Sequence, residues 1–433
     1  MLFLVLLHVI TCVNGLTQLL IIGGTGNLAQ KYLWPSLNEL QHNHELELWA
    51  AGTEELAIGK NRLAEIVPNS LHVEYIKLMH ARDYENLLLN SNWKMDASLI
   101  VYLAIPPKFF AHTCEMVHQY LQSQERPWLR IVVEKPFGHD FESASALAKT
   151  IETHFDQNQI FLIDHYLGKR SIQGLKSFLV ANSQIWTQVK HIDINMREIE
   201  SCVGRTGYFE GVGIIRDVMV NHLTLILATL SSPSNWATRM DITDNLLLQK
   251  VPFIALGQYS MYSIHANTTS TTTTTAASVK FQHQNLKQSV QISAGKAFAG
   301  RKTQIHLHLQ TNDCIISITI QNGAMEDIQV KLCSELADLI VKPQGWVWKF
   351  KRELEPNRHG ILQISAYQFL LDKVILGEHR HFMTISEILQ AWKMWMPVLK
   401  ISDEVKHNKL VVYNEGTEDD SFLDMTMLEH EEL

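Results

Sequence analysis

The chain has 433 residues, of which 46% are hydrophobic and 19% are charged, and its formal net charge is −8. At roughly 150 residues per domain, this length suits two or three domains and is long enough to bury a large core. The composition excludes wholesale disorder, a collagen helix and a coiled coil. Because Lys and Arg are scattered and the charge balance is acidic, we expect no nucleic-acid partner.

Both ends of the chain carry patterns typical of protein targeting. Residues 1–15 contain an uncharged apolar run, Leu2–Val13, that is too short to span a bilayer but suits a signal peptide. The alternative is a buried first strand. The last four residues, HEEL, resemble the KDEL/HDEL retrieval signal, and the alternative is a solvated acidic tail. We therefore expect a protein of the endoplasmic reticulum lumen without a membrane span, or a cytoplasmic protein if residues 1–15 are not a signal.

The cysteines and one sequon bear on this location. Signal cleavage removes Cys12 and leaves four cysteines, which allow three complete disulfide pairings that the sequence does not distinguish. They are Cys114, Cys202, Cys314 and Cys333. Asn267-Thr268-Thr269 forms a glycosylation sequon.

The first part of the chain alternates between strand and helix patterns. Five short apolar runs predict strands, at 17–22, 46–52, 97–105, 129–134 and 159–164. Helical patterns lie between them, which favours a doubly wound parallel sheet of the Rossmann type with right-handed crossovers.

After about residue 190 the pattern changes to strands that alternate polar and apolar residues, at 188–198, 277–284 and 303–321. Such alternation is typical of an antiparallel sheet with one exposed face. Helices are predicted at 214–230, 366–376 and 386–399, so this region reads as a larger α+β domain. The Thr-rich run 268–278 is either a flexible loop or the beginning of a strand.

These patterns divide the chain into four predicted parts. They are a signal peptide (1–15), a dinucleotide-binding domain (16–165), a substrate-binding and dimerisation domain (166–415) and an acidic tail (416–433).

The turn after the first strand predicts a dinucleotide phosphate site. Glycines there let backbone N–H groups approach a pyrophosphate at the beginning of the next helix. The residues of this turn are Gly23, Gly24, Thr25, Gly26, Asn27 and Leu28. An ordinary glycine turn is the alternative, because the spacing departs from GxGxxG.

The end of the second strand should select the cofactor. An acidic residue there favours NAD, whereas Arg favours the 2′-phosphate of NADP. Thr53 is followed by Glu54 and Glu55, with no Arg beside them. We expect either NADP or NAD to serve, or a preference for NAD, unless Lys31 or Arg62 supplies the missing charge.

His222 is the candidate general base. It lies on the apolar stripe of a predicted helix, where a histidine is more often a core residue than a catalytic one. Asp217 is five residues earlier, about 140° around an α-helix, and is therefore a poor partner. A base at His222 would need a carboxylate from elsewhere, and Asp164 is the natural candidate.

Two further segments carry cationic side chains. If a helix begins after Asp164, then His165 and Lys169 lie on one face and suit a phosphate dianion. A capped helix with a solvated pair is the alternative, and the pattern alone favours it. Lys135 ends the fourth strand, where a side chain can face a ligand crevice, although an ordinary loop lysine is equally compatible.

A family resemblance joins these segments. IDHYLGK (163–169) and GRTGYFEGVGIIRDVMVNHL (204–223) resemble the signatures of glucose-6-phosphate dehydrogenases. Further stretches match in the same order: YLAIPP (102–107), VEKPFG (133–138), SAGKAFAGRK (293–302) and 366–399. The patterns at the two termini and the stretches KYLWPSL and VVEKPFGHD look most like those of the hexose-6-phosphate dehydrogenases of the endoplasmic reticulum. This chain ends before the lactonase domain of the vertebrate-type members, so we expect no lactone hydrolysis.

The resemblance implies a role for each matching residue. His222 matches the general base for the sugar C1 hydroxyl, and Asp164 matches the carboxylate that orients it. Residues that match the sugar-binding and phosphate-binding positions are Lys135, Glu198, Asp217, Lys296, Arg301, His165, Tyr166 and Lys169. Residues expected at the cofactor are the turn 23–28, Thr53, Pro106 with Pro107, and Lys135. No metal is implied. The resemblance does imply a homodimer, and a hexose 6-phosphate as substrate.

The chain also departs from the family pattern. Asn27 stands where the family usually has Asp, and the segments 52–100 and 225–255 are shorter than usual. A non-catalytic homologue that binds nucleotide or sugar phosphate is therefore the alternative function. It would be expected to have lost some of the chemistry-bearing residues, and all of them are present.

Overall fold

A computed structural model describes residues 15–231, 246–248, 254–268, 271–283, 288–310, 314–323, 325–336, 338–357, 364–405, 409–419 and 421. Residues 1–14 of the predicted signal, the HEEL sequence and Thr269 of the sequon lie outside the described residues. The chain forms two compact units. The first comprises described residues within Met1–Glu134, with Lys149–Phe161 and Tyr367–His379. The second comprises described residues within Lys135–Ala148, Leu162–Ala366 and Arg380–Leu433.

A six-stranded sheet organises the N-terminal part of the chain. Its strands are β1 (Thr17–Ile22), β2 (Leu46–Gly52), β3 (Val73–Lys77), β4 (Ser98–Leu103), β5 (Leu129–Glu134) and β6 (Ile160–Ile163). The order is β3-β2-β1-β4-β5-β6, and Thr17 pairs in parallel with both Leu46 and Ser98. This confirms the predicted Rossmann-like sheet, with one strand more than expected. The additional strand, β3, buries only Tyr75, so it shows no apolar run.

Helices connect these strands. They are α1 (Trp34–Leu40), α2 (Leu56–Ile66), α3 (Ala81–Leu88), α4 (Phe110–Leu121) and α5 (Phe141–His154). A short π-helix, Ala29–Leu33, leads directly into α1. The strands β1 and β4 are completely buried, as their continuous apolar sequences predict for a sheet covered on both faces.

The second sheet contains eleven described strands, most of them antiparallel. They are β7 (Val189–Arg197), β8 (Leu246–Leu248), β9 (Ile254–Tyr259), β10 (Ala276–His283), β11 (Ser289–Gly295), β12 (Lys302–Leu309), β13 (Ile315–Asn322), β14 (Gln329–Lys331), β15 (Trp346–Phe350), β16 (Glu353–Pro356) and β17 (Val411–Tyr413). The order is β15-β16-β14-β13-β12-β7-β11-β10-β9-β17, with β8 on β10. Only the β7–β11 and β9–β17 pairs are parallel among them. The predicted α+β character is thereby confirmed.

The helices of this region are α6 (Arg170–Ala181), α7 (Thr206–Phe209), α8 (Thr224–Ser231), α9 (Tyr262–His265), α10 (Ala366–Leu376) and α11 (Ile385–Glu404). A capping box begins α11, where Thr384 and Glu387 bond each other's backbone N–H groups. A nine-residue π-helix, Ile215–Leu223, precedes α8. Across the described ranges, no helix combines the length and the apolarity that a membrane crossing requires.

Two open points of the sequence are answered here. The described part of the Thr-rich run, 271–275, is not a solvent-exposed loop, because all but one of its residues are buried before β10 begins at Ala276. The sequence left three complete cysteine pairings open. Among the described residues the structure contains one disulfide, Cys314–Cys333, whose Cα atoms are 5.5 Å apart. Cys114 and Cys202 are buried free thiols.

Candidate functional site

A histidine–carboxylate pair forms the centre of the candidate site. Nδ1 of His222 lies 2.7 Å and 2.8 Å from the two carboxylate oxygens of Asp164. The two residues are 4% and 2% exposed. Asp164 follows β6, and its Oδ1 also accepts the backbone N–H of Tyr166, so the carboxylate is fixed from two directions. Because a carboxylate accepts hydrogen bonds, Nδ1 carries the proton and Nε2 is left as the basic nitrogen.

Burial sets the protonation state of this pair. It lowers the pKa of His222, and the attraction of Asp164 offsets only part of this effect. For Asp164, burial acts to raise the pKa, but the neighbouring His222, His165 and Lys135 outweigh it and hold the pKa well below its ordinary value. At neutral pH the pair therefore consists of an ionised Asp164 and a neutral His222, which is the state a general base requires.

The helix that carries His222 differs from the predicted α-helix. Ile215–Leu223 is a π-helix, whose hydrogen bonds join residues five apart. Asp217 is therefore not turned 140° away from His222, as α-helical geometry predicted. Its charge raises the pKa of His222, although its carboxylate bonds other groups.

Two aromatic rings enclose the base. The Tyr166 ring stacks on His222 with centroids 4.2 Å apart, and the His165 ring meets it edge-on at 4.8 Å. Burial and the nearby His222 lower the pKa of His165 well below its ordinary value. His165 therefore contributes a neutral imidazole, and the phosphate site of this segment stays a prediction.

The helix on which His165 and Lys169 would share a face does not begin after Asp164. Residues 165–168 form a 3₁₀ turn, and α6 begins only at Arg170. The Lys169 ammonium instead lies 4.1 Å from the centroid of the Tyr166 ring and 3.1 Å from the Glu326 carboxylate. Glu326 comes from a loop far along the chain and had no sequence signal.

A second cluster combines two carboxylates with two lysines. Nζ of Lys296 lies 2.6 Å from Glu198 and 3.4 Å from Asp217. Nζ of Lys135 donates to the backbone carbonyl of Asp217 at 3.4 Å. Burial acts to lower the pKa of Lys296, but the two carboxylates outweigh it and raise the pKa. Lys296 is therefore ionised, and the structure brings these four predicted residues together.

One residue of this cluster was missed, and another is differently engaged. The Tyr208 hydroxyl lies 3.4 Å from Oδ1 of Asp217. Tyr208 belongs to the GRTGYFEG motif but was not among the predicted site residues. Arg301 forms an ion pair with Glu200, and its side chain is 34% exposed. Arg301 therefore contacts Glu200, whereas Lys296 contacts Glu198 and Asp217.

The glycine turn lies in the first unit. Gly23 has φ of +90°, and a Cβ there would lie 2.2 Å from the Ala104 carbonyl oxygen. A Cβ on Gly24 would lie 2.7 Å from that of Ala50. The N–H groups of Gly23 and Gly24 both bond Ala51 O, and that of Gly26 bonds Gly23 O. Glycine is therefore required for the turn to fit between β1, β2 and β4.

The predicted cofactor residues, in the turn and after β2 and β4, differ in their exposure. Asn27 and Thr53 are exposed, Thr25 and Leu28 are half-buried, and Pro106 is exposed just after β4. The acidic residues beyond Thr53 are paired. Glu54 bonds Arg62 at 2.7 Å, and Glu55 bonds Lys77 at 2.5 Å. Arg62 is thus already engaged with a carboxylate at the end of β2.

Two groups among the described residues have the composition and spacing of metal ligands. They are Asp164 with His165 and His222, and Cys314 with Cys333 and Glu335. In the first group, His222 and Asp164 bond each other. In the second, the sulfurs form the disulfide. Both groups are therefore occupied by other interactions.

Family profiles match most of the chain. The profile "Glucose-6-phosphate dehydrogenase, NAD binding domain" matches residues 53–174. The profile "Glucose-6-phosphate dehydrogenase, C-terminal domain" matches residues 180–432.

Similar proteins come from plants and animals. Glucose-6-phosphate 1-dehydrogenase 6 of Arabidopsis thaliana is 30% identical over 70% of this chain and 64% of its own length. The cytoplasmic isoform of Solanum tuberosum is 27% identical over 91% and 88%. The human GDH/6PGL endoplasmic bifunctional protein is 25% identical over 95% and 62%. The chain thus spans somewhat less than two thirds of the first and third relatives.

A solved structure has the same fold. A glucose-6-phosphate dehydrogenase in complex with glucose 6-phosphate aligns with a TM-score of 0.78 at 23% identity, covering 95% of this chain and 98% of that one. The two-sheet fold and the NAD-binding profile define the class of the protein: a dehydrogenase fold with a dinucleotide-binding domain. The chain belongs to the glucose-6-phosphate dehydrogenase family.

Proposed function

We propose that this chain is a glucose-6-phosphate 1-dehydrogenase. It oxidises C1 of the sugar phosphate to the 6-phospholactone, with NADP or NAD as acceptor. The observation that carries the proposal is the buried pair of neutral His222 and ionised Asp164, next to a charged cluster suited to a polyhydroxylated sugar.

The residues at the first turn fit a dinucleotide. The Gly23 and Gly24 N–H groups bond Ala51 O of β2, and the turn leads into a helix at Ala29. The beginning of a helix after such a turn favours a phosphate, because the first N–H groups and the helix dipole attract an anion. When bound, the nicotinamide accepts the hydride that leaves C1.

His222 removes the proton that must leave with the hydride. Nε2 accepts the proton of the C1 hydroxyl, while C1 gives up its hydrogen with both electrons, and the C–O bond becomes the lactone carbonyl. Asp164 keeps the proton of His222 on Nδ1 and stabilises the imidazolium that forms. The Tyr166 ring stacked on His222 excludes water from one face of the base.

The cluster of Glu198, Asp217, Lys296 and Lys135 supplies donors and acceptors for the sugar hydroxyls. Carboxylates of Glu198 and Asp217 accept hydrogen bonds, and the ammonium groups of Lys296 and Lys135 donate them. For the phosphate, Lys169 is the cationic residue of the 164–169 segment, and neutral His165 is a hydrogen-bonding partner. A phosphate at Lys169 would compete with Glu326 for the ammonium group.

Absorbance at 340 nm tests the proposal directly. Purified protein with glucose 6-phosphate and either NADP or NAD should produce reduced cofactor, and His222→Asn should lose about 10²–10⁴-fold in turnover. The ratio of the two cofactor activities measures the preference set by Thr53, Glu54 and Arg62. A folded protein that binds the sugar phosphate but reduces neither cofactor would instead be a non-catalytic homologue.

We further propose that the protein acts in the endoplasmic reticulum lumen. Three features support this: the apolar N-terminal run, the HEEL terminus and the Cys314–Cys333 disulfide, since disulfides persist in oxidising compartments. Asn267 of the sequon is exposed. Expressed in eukaryotic cells, the protein should be protected from external protease in microsomes and shift in mobility on endoglycosidase treatment. Deleting HEEL should cause secretion, and a cytosolic, unglycosylated product would refute the location.

Two further points belong to this proposal. The reaction would be the first oxidative step of the pentose phosphate pathway, performed inside the lumen. The family resemblance also supports a homodimer. Light scattering should then report twice the mass of the purified single chain, whereas a mass near that of one chain would refute the dimer.

A further inference from the structure

The backbone around Lys296 is unusual. Ala297, the next residue, has φ of +59°, a left-handed conformation that residues with a Cβ rarely adopt. Such a conformation persists only where the surrounding structure holds it. The segment that holds it includes residues 411–417, far along the chain. Gly416 N–H bonds Ala297 O at 2.8 Å, and the Phe298 ring stacks on Tyr413 with centroids 5.4 Å apart.

A directional series of hydrogen bonds ends on Lys296 itself. The Tyr413 hydroxyl donates to the Lys296 carbonyl at 2.8 Å. Because that hydroxyl has one proton, its 2.8 Å contact with Thr275 Oγ1 must be a bond that Thr275 donates. Thr275 Oγ1 in turn accepts the backbone N–H of Tyr259 at 2.9 Å. All of these groups are buried.

The other side of the Lys296 residue is fixed by the same threonine. Lys296 N–H donates to the Thr275 carbonyl at 3.0 Å. Thr275 and Tyr413 therefore hold both peptide groups of Lys296, whose ammonium reaches Glu198 and Asp217. If the carbonyl lost its donor, Ala297 could relax toward an ordinary φ and turn the Lys296 peptide.

We propose that Tyr413 is a positioning residue for the sugar site: its hydroxyl fixes the Lys296 backbone and so holds the ammonium between Glu198 and Asp217. This rests on the proposed function, because it takes Lys296 as a sugar-binding residue. It also gives the Thr-rich run a role, since Thr275 aligns the Tyr413 hydroxyl.

The test compares Tyr413→Phe with Tyr262→Phe. The first keeps the stacked ring and removes only the hydroxyl that bonds Lys296. The second removes a buried hydroxyl of the same aromatic cluster, which bonds Glu210 instead. Tyr413→Phe should raise the KM and the calorimetric Kd for glucose 6-phosphate about tenfold, as expected for a buried carbonyl left without a donor. The kcat and the cofactor KM should stay within about twofold, and Tyr262→Phe should leave the sugar Kd unchanged.

Two further measurements separate positioning from general loosening. In a Lys296→Met background, Tyr413→Phe should change the sugar Kd no further, because its effect passes through Lys296. Hydrogen exchange of the 295–299 segment should accelerate in Tyr413→Phe and not in Tyr262→Phe. An unchanged sugar Kd, or an equal loss in the Lys296→Met background, overturns the proposal.

The outcomes also distinguish this inference from the proposed function. Wild-type protein that binds glucose 6-phosphate without turnover refutes the dehydrogenase and leaves the Kd comparison decisive for Tyr413. Active wild-type protein with an unaltered Tyr413→Phe variant refutes only the positioning role. Wild-type protein that neither binds nor turns over the sugar refutes both.

Discussion

Replacing Asp164 with Asn tests the assigned base most directly. The substitution keeps the size of the side chain and removes the negative charge 2.7 Å from Nδ1 of His222. Two opposite charges whose centres are about 4 Å apart attract by about 4 kcal/mol at an effective dielectric constant of 20. This attraction develops only as His222 takes up the proton. Its loss therefore raises the barrier by a similar amount, which corresponds to a fall in kcat of about 10³-fold.

The assay is steady-state turnover at saturating glucose 6-phosphate and cofactor. Asn also caps helical turns well, so the 165–168 turn that Asp164 begins should survive, and thermal unfolding provides that control. The KM for the sugar should change little, because Asp164 bonds the base and not the sugar. A folded Asp164→Asn variant that keeps more than about a tenth of the wild-type kcat would refute the electrostatic reasoning.

Four further predictions follow from the charges and the disulfide. Because burial holds the pKa of His222 below its ordinary 6.5, kcat/KM should stay level from pH 8 to about 6.5 and fall only in more acidic solution; a half-maximal point above pH 7 would contradict this. The unfolded chain takes up this proton at higher pH than the folded one, so stability should also decrease as pH falls below about 6.5, as thermal unfolding would show. Glu54→Gln releases Arg62 from its 2.7 Å ion pair and should raise the NADP-to-NAD ratio of kcat/KM by about threefold, the scale of an exposed pair; an unchanged ratio would remove Arg62 from cofactor selection. Cys314→Ser removes a cross-link between positions 19 residues apart and should lower the free energy of denaturant unfolding by about 3 kcal/mol. Reductant should abolish the difference between variant and wild type, because it opens the same disulfide in the wild type.

Strands were predictable from the sequence where burial made them apolar. Residues 17–22 and 98–103 are buried along their whole length, so their apolar runs indicated both the strands and a sheet covered on both faces. The strand Val73–Lys77 packs only Tyr75 inward. A single buried residue produces neither a run nor an alternation, and only the pairing with β2 shows the strand.

The residues of the site were predictable, as was the pairing of His222 with Asp164, but the remaining contacts were not. The family motifs pointed to His222, Asp164 and Lys296, and the structure brings each into a charged contact. The π-helical turn was not predictable, because periodicity in a short apolar segment does not separate hydrogen bonding at five residues from that at four. The pairing of Lys169 with Glu326 was equally hidden, since it joins segments 157 residues apart.

The arrangement of charges explains how one site keeps a base neutral beside two ionised carboxylates. Burial and Lys135 lower the pKa of His222, whereas Asp164 and Asp217 raise it. If Asp217 were unpaired, its full charge would act on His222 and favour the imidazolium before substrate arrives. Lys296 lies 3.4 Å from Asp217 and takes up part of that charge. In the proposed mechanism, Lys296 therefore contributes both a donor to the sugar hydroxyls and a limit on the carboxylate charge felt by the base.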